Sequence, residues 1–141
     1  EETIRRLAAA LADLAKTKKI LVVASTDMSH YLIPEKAKAL DQETAGMIRA
    51  LKTAALLREM LRPNENRMCG GAGVLAALFY AQKMGEANVE ILRTADSSEG
   101  GGPADRVVGY MASKRTSGKI KSWTTKRRIR ISSRRGGPSS P

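Results

Sequence analysis

From residue 3 to 19, TIRRLAAALADLAKTKK, the apolar residues Ile4, Leu7, Leu11 and Leu14 recur at intervals of three and four. That spacing predicts an α-helix with these four on one stripe and Arg5, Arg6 and Asp13 off it. The next stretch, KILVVAS (19–25), is a continuous apolar run rich in β-branched residues, the pattern of a strand covered on both faces in a parallel sheet. A polar loop follows, and Pro34 suits the first position of a new helix. From Pro34 to Leu61 the pattern is helical, interrupted around Asp41, with Met47, Leu51, Ala54 or Ala55, Leu56 or Leu57, and Met60 or Leu61 facing inward. RPNENR (62–67) reads as a loop. A further helix starts near Gly71 or Ala72, runs through Val74, Leu75, Leu78 and Phe79, and stops at Met84 with Gly85 as its cap. NVEILRT (88–94) and RVVGYMA (106–112) read as strands separated by the Gly-rich ADSSEGGGPAD. The order helix, strand, helix, helix, strand, strand predicts an α/β layer structure without internal repeats.

Composition narrows this picture. A chain of 141 residues fits one domain, and with 42% apolar but only 4% aromatic residues its core must be aliphatic. No apolar run approaches the ~18 residues of a membrane span, and no secretory signal pattern opens the sequence, so a cytoplasmic protein is expected. The single cysteine cannot form an internal disulfide and in a reducing compartment stays a thiol. The net charge of +11 is unevenly placed: residues 1–113 hold 15 basic and 14 acidic residues, whereas residues 114–141 hold 10 basic residues and no acid. This tail ends in Gly, Pro and Ser and has too little apolar content to offset the cost of ordering it, so it is expected to be disordered. It reads as a polybasic extension for RNA, DNA or an acidic membrane surface, as the product of a shifted reading frame, or as a solubilising tail. With one Trp and no aromatic interleaving, it does not read as a sequence-specific nucleic-acid binder.

Two segments carry chemistry. In VVASTDMSHYLIP (22–34), the polar residues Ser25, Thr26, Asp27, Ser29 and His30 follow the predicted strand at the end where open sheets form binding crevices. The plain alternative is that Asp27 and Ser29 cap a turn and His30 is a satisfied structural histidine. In MCGGAGVLAALF, Cys69 immediately precedes a predicted helix, whose unpaired N–H groups and dipole favour a thiolate. Glycines 70, 71 and 73 allow close backbone approach, although the spacing matches neither a phosphate loop nor a dinucleotide fingerprint. Here too the alternative is plain: a small packed residue at a helix start.

Taken in order, VVASTDMSHY, AKALDQET, MCGGAGVLAALFYAQKMG, EILRTADSS and DRVVGYMAS resemble the Memo family, including the AmmeMemoRadiSam system protein B members, over roughly residues 5–113. The resemblance implies a fold like that of the class III extradiol dioxygenases. For this chain that means an α/β, partial three-layer sheet flanked by helices over 1–113, followed by a basic tail, 114–141, with no counterpart in the family. It also implies a mononuclear iron or copper pocket. Cys69 matches the family's pocket cysteine, a metal ligand; His30 matches the histidine acting as acid/base, and Asp27 the acid beside it. The family's two metal-binding histidines lie in an N-terminal half without a counterpart here, and this chain has one His. One cysteine and one histidine fall short of the three or four protein ligands that such sites use, so a C-terminal portion of a longer protein, inactive alone, is expected. RTADSSEGGG also departs from the family's Tyr-x-x-Ser-Gly-Asp segment. The function implied is that of a Memo-like metal-binding protein, redox active when complete, as a metal-dependent oxidoreductase or dioxygenase-like enzyme. The alternatives are a non-catalytic interaction module docking a partner such as radical-SAM system proteins and, more weakly, nucleic-acid binding through the tail.

Overall fold

The computed structural model describes residues 1–62, 67–85 and 87–117. Helix α1 spans Glu2–Ala15, but its inward face is turned from the leucine stripe. Ala8 is fully buried and Ile4 packs on the core, whereas Leu7 and Leu14 are half exposed. A small residue at the contact lets α1 lie close along α4 (Gly71–Lys83), and the Arg5 guanidinium sits 4.3 Å from the Phe79 ring centroid.

Helix α2 (Pro34–Arg49) starts at the predicted proline and runs unbroken through Asp41. Aspartate disfavours helix interiors because it competes for nearby backbone groups; here its carboxylate is engaged elsewhere, by the Ser29 N–H, and the competition is removed. The interruption falls instead at Ala50–Lys52, where Leu51 takes a left-handed φ of 52°, before α3 (Thr53–Met60). Helix α4 is apolar almost all round and accordingly central: Val74, Leu75, Leu78 and Phe79 join Met47, Ile48, Leu56 and Met68 in one cluster. Gly85, at a φ of 91°, follows it as predicted.

The sheet has three strands, β1 (His30–Leu32), β2 (Ala87–Asp96) and β3 (Val107–Ser117), in the order β1-β3-β2. Both pairings are antiparallel. β2 and β3 form a long hairpin from Ala87↔Ser117 to Asp96↔Gly109, closed by a short 3-10 turn at Ser97–Gly100 that the Asp96 side chain caps through the Ser98 N–H. Helix α2 packs on the sheet, so the chain is α/β with helices flanking a partial sheet.

The parallel-sheet expectation for KILVVAS does not hold. Residues 19–25 are in no sheet, and Leu21 and Val23 are 88% and 77% exposed. No strand among the described residues forms a ladder with them. A cleft of about 550 Å³ remains between this run and Leu78, Val89 and Met111. The expected disordered stretch and its nucleic-acid role fall at 118–141, outside the described residues, although β3 itself continues past residue 114 to Ser117. No described helix is long and apolar enough to cross a membrane.

Candidate metal centre

Two separate pieces of chain meet at this centre: the loop leading into β1, and the residue before the start of α4. Thr26 joins them. Its Oγ1 accepts from the Gly70 N–H at 2.7 Å and has one proton to give, to the Asp27 carbonyl at 2.8 Å or, when the thiol ionises, to Cys69 Sγ at 3.6 Å. The Asp27 N–H also points at that sulfur, at 3.4 Å. Gly70 permits the approach, since a Cβ there would stand 2.6 Å from the Ser25 carbonyl oxygen and 2.8 Å from Thr26 Cβ. The Asp27 N–H, and secondarily the Thr26 hydroxyl, hold the Cys69 thiol below its ordinary pKa of 9.0, outweighing the opposing charge of the Asp27 carboxylate.

Cys69 itself is held from the other side. Arg67, only 4% exposed, pairs with Glu43 of α2 at 3.0 Å and Glu59 of α3 at 3.1 Å and donates to Thr44 Oγ1 at 3.2 Å. Met68 is buried in the core cluster, so the chain is anchored up to the residue before the exposed thiol.

His30 opens β1, opposite Val108. Tyr31 follows at a φ of 56°, forming a bulge in the β1–β3 register, and its ring tilts against the imidazole with centroids 5.8 Å apart. The imidazole is mostly covered, with 19% of its side chain exposed, and its Nε2 lies 3.7 Å from Asp27 Oδ2. That separation is an ion-pair distance, too long for a hydrogen bond.

Among the described residues, Asp27, His30 and Cys69 form a group whose donor atoms all lie within 4.8 Å of one another. Donors bound 2.0–2.3 Å from one ion are separated by roughly 3–4.6 Å, so a small side-chain rotation closes the set. An imidazole, a carboxylate and a thiol with lowered pKa together fit a mononuclear transition metal of borderline softness. All three residues singled out in the sequence thus come together. Sequence reasoning did not assign Thr26 its joining role, nor find Arg67, Asp41 or Gly109. The partners that define these roles are 8 to 81 residues distant, and no local spacing signals them.

The family model for Memo-like protein matches residues 1–114. A MEMO1 family protein of Methanosarcina mazei is 32% identical over 114 residues, covering 79% of this chain and 42% of that protein. One from Methanopyrus kandleri is 32% identical over 113 residues, covering 79% and 40%, and one from Saccharolobus solfataricus 35% identical over 97 residues, covering 69% and 34%. The chain therefore spans about two fifths or less of the length of these curated relatives. A match running from the first residue to residue 114, within β3, and through both segments of the centre makes this chain a member of the Memo family.

Proposed function

We propose that this chain supplies Cys69, His30 and Asp27 to a mononuclear iron or copper site in a Memo-like protein of extradiol dioxygenase-like fold. The observation that supports it is the convergence of the three donors within 4.8 Å from two segments 39 residues apart in sequence. Cys69 is the ligand that the chain prepares best, because two hydrogen bonds stabilise its thiolate before any ion arrives. His30 and Asp27 act as an acid/base pair, the imidazole Nε2 lying 3.7 Å from the carboxylate Oδ2. The partial cover of the imidazole limits, without abolishing, its access to solvent. A bound iron or copper ion would supply redox and Lewis-acid chemistry at this point. On this reading the complete protein is an oxidoreductase of the cytoplasm that works with radical-SAM system proteins, and further histidine ligands come from sequence outside this stretch.

The test is metal content after anaerobic loading of the full chain with Fe(II) or Cu, measured by mass spectrometry. One ion per chain is expected for the wild type, less than one for His30→Ala, and none for Cys69→Ala. Equal metal in wild type and Cys69→Ala overturns the assignment. A second reading, a non-catalytic interaction module, is favoured by the exposure of Leu21 and Val23. It predicts that Cys69→Ala and His30→Ala leave partner binding intact.

A further inference from the structure

The Asp27 and His30 side chains are useful only if the backbone between them is held, and that backbone is Met28-Ser29. Both residues are buried, Met28 at 1% and Ser29 at 0% exposure. Two of their polar groups pair with one glycine of β3: the Met28 N–H donates to the Gly109 carbonyl at 2.8 Å, and the Ser29 carbonyl accepts from the Gly109 N–H at 2.9 Å. Among the groups that remain is the Ser29 N–H, which has no strand to donate to. The Asp41 carboxylate, from the middle of α2 and 9% exposed, takes it through Oδ1 at 3.0 Å.

The carboxylate can stand there only because residue 109 lacks a side chain. A Cβ on Gly109 would fall on Asp41 Oδ2, and it would also stand 3.2 Å from Met28 Cβ. Asp41 is therefore no incidental buried acid. It substitutes for a missing strand edge at one position of one loop, and the glycine of VVGY makes room for it. A buried amide left without this acceptor loses a hydrogen bond and moves to find another. The peptide that would move lies between Asp27 and His30.

We infer that Asp41 is the positioning residue of this centre, acting with Gly109 to hold the Met28-Ser29 backbone so that Asp27 and His30 face Cys69. The inference rests on the metal-site reading proposed above for its consequence, but its geometry stands without a metal. Asp41 donates nothing to an ion and acts only through Ser29.

The test titrates Co(II) alone into the full chain and follows the thiolate-to-cobalt charge-transfer absorption. Asp41→Asn keeps an oxygen that can accept from Ser29 and retains wild-type affinity. Asp41→Ala weakens Co(II) about 10–100-fold, the usual effect of losing a residue that orients a ligand. Gly109→Ala, which displaces the carboxylate by a methyl group, reproduces that loss and stands in for Asp41→Ala should the latter not fold. Leu56→Ala, a truncation of a fully buried residue of α3, lowers the melting temperature and leaves affinity unchanged. Wild-type affinity in Asp41→Ala, or an equal loss in Leu56→Ala, overturns the inference.

If the wild type itself shows no cobalt–thiolate band, the metal reading fails, and the same variants then decide the inference without metal. Cys69 is the only cysteine, so the pH profile of iodoacetamide alkylation reads its setting alone. The midpoint rises in Asp41→Ala and Gly109→Ala, where the Asp27 N–H is no longer held against the sulfur, and stays in Asp41→Asn and Leu56→Ala. An unmoved midpoint in Asp41→Ala overturns the positioning role.

Discussion

Thr26 is the residue on which the centre's local chemistry converges, because one hydroxyl serves both the Gly70 N–H and the Cys69 sulfur. Thr26→Val keeps the shape and removes the oxygen. It leaves the Gly70 amide without its acceptor, a cost of about 1 kcal/mol measurable by urea unfolding at neutral pH. It also removes one of the two hydrogen bonds that lower the Cys69 pKa, so the alkylation midpoint moves up toward 9.0. The sign for stability follows. A thiol whose folded pKa is depressed contributes stability that is fully present above the unfolded value and is lost as pH falls through the lowered folded value. The stability difference between wild type and Cys69→Ser therefore grows as pH rises from neutral toward 9.0; a flat difference would show that the thiolate is not favoured by folding.

At the scale of elements, the contrast between Ala8 and Leu7 tests how α1 sits. A stripe drawn from spacing makes Leu7 a core residue, yet the structure buries Ala8 completely and leaves Leu7 51% exposed. Ala8→Leu, which lowers helix propensity only slightly, overfills the α1–α4 contact and costs about 1–3 kcal/mol in chemical denaturation. Leu7→Gln costs less than about 1 kcal/mol, since only half of its surface is removed from water. The reverse order of the two would restore the leucine stripe as the inward face. Arg67 binds helices α2 and α3 to the segment ahead of Cys69. Arg67→Ala leaves Glu59, with 16% of its side chain exposed, without this buried partner and removes the bond to Thr44, so a loss of about 3 kcal/mol in unfolding free energy is expected.

For the whole molecule, the unpaired run at 19–25 is the feature that sets solution behaviour. Leu21 and Val23 present apolar surface on a run with no ladder partner among the described residues, a template for pairing with other chains. The double variant Leu21→Lys with Val23→Lys self-associates less by sedimentation velocity and changes stability by no more than about 0.5 kcal/mol. Unchanged association would place the sticky surface elsewhere. Much of this architecture was legible in the sequence. Helix α4 with its Gly85 end, the proline start of α2, the hairpin strands and the convergence of Asp27, His30 and Cys69 follow from local periodicity, special backbone preferences and family resemblance. Apart from the resemblance, these signals lie within a few residues of one another, where side-chain spacing and φ preference act. Tertiary structure alone decided the rest: that α1 turns Ala8 inward, that KILVVAS stands outside the sheet, that α2 continues through Asp41, and that Asp41, Gly109 and Arg67 hold the centre. Each depends on which distant group accepts a hydrogen bond or fills a contact, and a strand-like run becomes a strand only when another backbone lies alongside it.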